Sequence, residues 1–167
     1  YHEATPGHHH QIAHSMENDD LTLYRRFGYR TSAFSEGWAL YAEKLAKEMG
    51  AFSDPYKRFG NLTAEIWRAI RLVVDTGLHA KGWSEEQAVE YFLANSSIPE
   101  TAVRSEVQRY LVWPGQATAY KIGMIKIQQL RAKAEQALGE KFDIRGFHDT
   151  VLGGGALPVP MLEARVD

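Results

Sequence analysis

Apolar residues return at every third or fourth position through almost the whole chain, and capping and helix-breaking residues fill the gaps between the runs. That spacing, with almost no strand-like alternation, predicts an all-α fold. Phe34, Trp38, Tyr41, Leu45 and Met49 form one stripe, and Gly50 stands where a helix would stop. Ile66, Ile70, Val73, Val74 and Leu78 form another, on a long helix opened by Ser53-Asp54-Pro55. Ser84 and Gln87 have capping-box spacing ahead of EEQAVEYFLANS. Pro99-Glu100 opens a further helix, Trp113-Pro114-Gly115 breaks it, and QATAYKIGMIKIQQLRAKAEQAL runs on to Gly139. Asp143 caps the short helix IRGFHDTVL, and GGGALPVP reads as a loop. A first helix is expected over GHHHQIAHSMEN, with Pro6 at its opening turn, followed by the connector DDLTLYRRFGYRTS. The expectation is a single multi-helix domain of about six or seven helices, the 167 residues being enough for one hydrophobic core.

The charge balance narrows the partners. Nineteen basic and 21 acidic residues give a net charge of −2, so no field of one sign attracts nucleic acid or an anionic membrane. No apolar run reaches the roughly 18 residues of a membrane span. Cysteine is absent, which excludes disulfides and thiolate ligands. Any metal must be held by His, Asp or Glu, a donor set that favours zinc and leaves manganese, iron and nickel open. Compartment is left open between exported and cytoplasmic.

Five of the seven histidines fall in the first fourteen residues, YHEATPGHHHQIAH, with Glu3 beside His2. Zinc hydrolases use two histidines four apart on a helix, with a glutamate after the first as general base. Here the position four after His2 is Pro6, which cannot bind metal, and the next histidine is His8. In an unbroken helix His8 would point about 120° away from His2. Proline breaks or bulges a helix, however, and slack near Thr5 would let His8 swing back beside His2. His9 is the reserve: it shares a helical face with His2 but would stand about 10.5 Å along the axis. The competing readings are a solvated polar helix face and a tag remnant. A third ligand is available in FSEGWALYAE, where Glu36 sits between Phe34 and Trp38, a costly place for an unpaired carboxylate. Glu43, two turns further on, reads either as a carboxylate supporting the site or as the i,i+4 partner of Lys47.

YHEATPGHHHQ, FSEGWALYAE, DTGLHAKGWS, RYLVWPGQATAYKIG and FDIRGFHDTVLGGGALPVPMLE, in that order, resemble the C-terminal part of the bacterial DUF885 family. That family is regarded as similar to gluzincin-type zinc peptidases. The resemblance implies zincin-like active-site helices, zinc as cofactor, His2, His8 and Glu36 as ligands, and Glu3 as catalytic carboxylate. It also implies that residues 1–167 are the C-terminal part of a larger helical metallopeptidase, whose missing portion would leave apolar surface exposed and prone to self-association.

Other residues are expected to support such chemistry. Tyr120 or His79 would donate to the oxyanion, with Asp75, four residues before His79, holding its tautomer. His9 and Glu43 would support the ligands. Arg109, Tyr110 and Gln116, around the Pro-Gly break, are candidates for substrate contact. The expected function is hydrolysis of peptides or related amides. The alternatives are a catalytically silent helical module for binding or assembly and a metal enzyme of other chemistry on the same ligands.

Overall fold

The computed structural model describes residues 1–167 and contains helices and turns but no strand. Eight α-helices follow one another: α1 (His8–Glu17), α2 (Ser32–Glu48), α3 (Pro55–Ala80), α4 (Glu85–Asn95), α5 (Glu100–Val112), α6 (Gln116–Leu138), α7 (Ile144–Gly153) and α8 (Val159–Val166). A π-helical turn at Tyr24–Gly28 interrupts the connector, and a 3-10 turn at Gly139–Lys141 ends α6. The all-α expectation holds, with one helix more than expected. α8 starts within the last residues of the expected loop, with Pro158 as its N-cap and Pro160 in its first turn. Proline is tolerated in a first turn because the missing N–H has no intrahelical acceptor there.

The start signals act as their chemistry dictates. The Asp54 side chain accepts from the Tyr56 N–H with Pro55 behind it. Ser84 and Gln87 form both halves of the capping box, and Asp143 accepts from the Arg145 and Gly146 N–H groups. Each removes an orphan donor that would otherwise be left to solvent.

Two compact units result, one made of Tyr1–Met49 with Ile122–Asp167 and the other of Gly50–Lys121. No low-complexity linker marks the boundary, which is why the sequence reads as a single domain. In the second unit α3, α4 and α5 pack around Ile70, Val74, Val89, Phe92, Val103 and Val107. The expected α3 stripe is only partly inward: Ile70, Val74 and Leu78 are buried, whereas Ile66 and Val73 are exposed.

In the first unit the buried side chains come from α2 (Phe34, Trp38, Leu40, Tyr41), α6 (Ile127, Leu130), α7 (Phe147, Val151, Leu152) and α8 (Leu162). Met49, expected on the α2 stripe, is exposed. The backbones of α2 and α6 nearly touch: a Cβ at Gly37 would lie 2.5 Å from the Gly123 backbone. Gly37 thus serves as a point of close approach.

The expected first helix begins later than its histidines imply. α1 starts at His8, and the residues before it form a wide turn in which His8 N–H reaches the His2 carbonyl at 2.8 Å and His9 N–H reaches Glu3 at 3.0 Å. Each bond spans six residues where an α-helix spans four. Gly7 is required at the crossing, because a Cβ there would stand 1.8 Å from the His2 carbonyl oxygen.

Gly7→Ala should therefore cost about 1–3 kcal/mol, the scale of a substitution that forces backbone apart. Gly60→Ala, in α3 with nothing within 4 Å of the added methyl, should raise stability by about 0.5–1 kcal/mol. Urea denaturation of both variants checks the pair.

His148 supplies a pH test. Its ring is set against Trp38 at 5.5 Å, and its Nε2 lies 3.0 Å from the Tyr41 hydroxyl. Burial, and then the charge of Arg131, push the imidazole below its ordinary value of 6.5. A depressed histidine stays neutral when folded, so its contribution is present above 6.5 and is lost as pH falls through the lowered value. Between about pH 7.5 and 5.5 the wild type should lose more stability than His148→Gln. Equal losses would remove His148 from the pH response.

Candidate metal centre

α2 presents two carboxylates to the turn that precedes α1. Nε2 of His8 lies 3.2 Å from Oε2 of Glu36, and Nε2 of His2 lies 3.5 Å from the same oxygen. The two imidazoles meet edge to face at 4.9 Å. Ligand atoms of His2, Glu3 and His8 all fall within 4.8 Å of one another. His9, the reserve, is exposed on α1, and its backbone N–H serves the turn. His8 is thus the histidine brought to His2, by the wide turn and not by a helical face. The zincin-like expectation changes accordingly: His2 and Glu3 precede the helix, and His8 is its first residue.

The other nitrogen of His2 is held as well. Nδ1 stands 2.8 Å from Oε1 of Glu43. A carboxylate accepts, so the Nδ1–H of His2 donates to Glu43, and Nε2 is the nitrogen that faces Glu36 and His8. Glu36 and Glu43 are about 10.5 Å apart along an ideal helix axis, and the imidazole of His2 bridges them. The alternative Glu43–Lys47 pair is not what forms; the i,i+4 contact beside it joins Lys44 to Glu48 at 3.7 Å.

Burial on its own raises the Glu36 carboxyl, but hydrogen bonds and charge from His2 and His8 outweigh it and hold the group at about 2. Glu36 is therefore a lasting anion at any working pH. Glu3 differs in kind: its side chain is 86% exposed, with Oε1 3.9 Å from Nε2 of His2.

These donors fit a small dication. With zinc bonds of about 2.0–2.1 Å, the edge of a coordination tetrahedron is about 3.3–3.4 Å. The two separations from Glu36, 3.2 and 3.5 Å, bracket that edge. Two imidazole nitrogens and one carboxylate oxygen are also the donor types zinc takes in catalytic sites.

The remaining expected residues lie in the second unit. His79 and Asp75 do not pair. Both Asp75 oxygens accept from the Gly115 N–H at 3.1 Å, at the start of α6. Nε2 of His79 faces the Tyr110 carbonyl at 2.9 Å, which commits its proton. Tyr110, expected at substrate, is instead a core residue. Its hydroxyl takes Arg71 Nε at 2.8 Å and Trp67 Nε1 at 3.2 Å and donates to Glu106 at 2.9 Å. Burial pushes this phenol up to about 12. Arg109, Gln116 and Tyr120 do come together: Arg109 Nη2 donates to the Gln116 amide oxygen at 3.1 Å, and Gln116 donates to the Tyr120 hydroxyl at 3.3 Å. The Arg71–Glu106–Tyr110 group went unanticipated, because a lone arginine on an apolar stripe does not reveal its partner 35 residues on. Arg104 is an exposed arginine paired with Glu86 and Glu100.

No curated protein matches the chain. Solved structures do, two bacterial proteins among them. A "putative lipoprotein" from Colwellia psychrerythraea is 49% identical, with a TM-score of 0.95, over 99% of this chain and 28% of its own. A "putative lipoprotein of unknown function" from Shewanella oneidensis is 27% identical, with a TM-score of 0.88, over 98% of this chain and 30% of its own. The chain thus spans less than a third of the length of either. A family model matches residues 1–166, and on that match the chain belongs to the family described as "Bacterial protein of unknown function (DUF885)".

Proposed function

We propose that this chain carries the metal-binding part of a zinc-dependent hydrolase of peptides or related amides. The observation behind the reading is the convergence of His2 Nε2 and His8 Nε2 on one oxygen of Glu36, at 3.5 and 3.2 Å. His2, His8 and Glu36 would hold the ion. Zinc held there would supply a Lewis acid, making water nucleophilic near neutral pH and polarising an amide carbonyl.

The chain's own groups do the rest. Glu43 fixes the ring of His2 so that Nε2 faces the ligand cluster. Glu36, held as an anion, offsets part of the cation's charge. Glu3 stands beside the cluster with its carboxylate in water. It takes the proton of the attacking water and returns it to the leaving amine as the C–N bond breaks. All of these residues belong to the first unit, and no step is assigned to Tyr120, His79, Arg109, Tyr110 or Gln116.

A second reading, a helical module for assembly, draws on a different feature. Tyr56, Phe59, Leu62 and Ile66 are exposed along α3, where Phe59, Leu62 and Ile66 line a cleft of about 690 Å³. A chain that never retains zinc and self-associates as its concentration rises favours this reading over the first.

Glu3→Gln should keep one equivalent of zinc and lower amide hydrolysis by roughly 10²–10⁴-fold. Glu36→Gln should lose the zinc itself. Both are to be measured on this chain and on a longer chain that contains it, by metal analysis and with a peptide panel. Unchanged turnover in Glu3→Gln removes Glu3 from the mechanism, and undiminished zinc in Glu36→Gln removes Glu36 from the ligands.

A further inference from the structure

The wide turn has two backbone hydrogen bonds at its mouth, His8 N–H to His2 and His9 N–H to Glu3. Its tip, Ala4 and Thr5, is exposed. Between tip and mouth lies the Pro6 carbonyl, and one side chain reaches it: Nε1 of Trp38 donates to it at 2.8 Å. Trp38 is 1% exposed and lies on α2 two residues after Glu36. Its ring is fixed on further sides by Tyr41 at 5.7 Å and by His148 at 5.5 Å, the latter at 90°.

We infer that Trp38 is a positioning residue for the histidine pair, setting the separation of His2 and His8 through the Pro6 carbonyl. The turn joins the two histidines through six peptide units, and two mouth bonds leave the path between them free to hinge. A third bond, to a ring locked in the core, removes that freedom. It anchors the turn to the same helix that presents Glu36 and Glu43, so both imidazoles and both carboxylates share one frame. An indole suits the task because it is rigid, buries its bulk and keeps a single directed donor. Losing that donor leaves the part-buried Pro6 carbonyl without its side-chain partner and lets the turn relax. Supporting groups of this kind typically change metal affinity by about 10–100-fold.

The zinc arm of the test rests on the metal reading above; the exchange arm does not. Trp38→Phe keeps a ring on Tyr41 and His148 and removes the N–H. Site-specific benzothienylalanine at position 38 keeps the two-ring outline as well and serves if the phenylalanine variant folds poorly. In the metal-free chain, amide exchange at His8 and His9 should accelerate at least tenfold while exchange at α6 and α7 stays near wild type. In the zinc arm, the dissociation constant should rise about 10–100-fold, and the visible spectrum of the cobalt-substituted protein should change. Trp67→Phe, in the other unit, should alter neither. Unchanged exchange at His8 and His9 overturns the positioning role. Accelerated exchange in a chain whose wild type takes up no zinc upholds the clamp on the turn and overturns the metal reading alone. Accelerated exchange with an unaltered zinc constant and cobalt spectrum overturns the control of ligand spacing.

Discussion

The bond from the His8 N–H to the His2 carbonyl, 2.8 Å long and spanning six residues, is the constraint from which the candidate site follows. A regular helix would point these two histidines about 120° apart. Closing the chain after six residues instead of four brings their rings to 4.9 Å. The closure depends on Gly7, since any side chain there would overlap the His2 carbonyl. Proline and glycine, which spoil the familiar helical spacing, are therefore the residues that make an alternative spacing work.

α2 then turns a pair of histidines into a site. One helix supplies Glu36 to both imidazoles, Glu43 to the far nitrogen of His2, and Trp38 to the Pro6 carbonyl. Charged groups half-removed from water are costly alone, and this arrangement answers each with a partner. The helix can serve the turn because it is itself fixed from behind. Gly37 meets Gly123 at backbone distance, and Tyr41 is held by Arg131 and His148.

Much of this was legible in the residues, for reasons that can be named. Helix class and most helix starts are local properties: Asp54, Ser84 and Asp143 cap through bonds only two or three residues long. Glu36 and Glu43 stood out because carboxylates within an aromatic stripe need partners. Contacts across large separations were beyond such reasoning. Asp75 stands one helical turn from His79, yet it accepts from the Gly115 N–H, 40 residues on, just ahead of α6. Tyr110 borders a helix break, which suggests a cleft, yet its ring is buried in the core. Ile66 and Val73 fit a helical stripe by spacing, yet spacing cannot tell whether a partner covers the whole of it.

The most direct measurement is a zinc-edge anomalous difference map from crystals of the zinc-treated protein. The account predicts one strong peak within bonding distance of Nε2 of His2, Nε2 of His8 and a carboxylate oxygen of Glu36, with Glu43 still on the far nitrogen of His2. No peak at that position would contradict it.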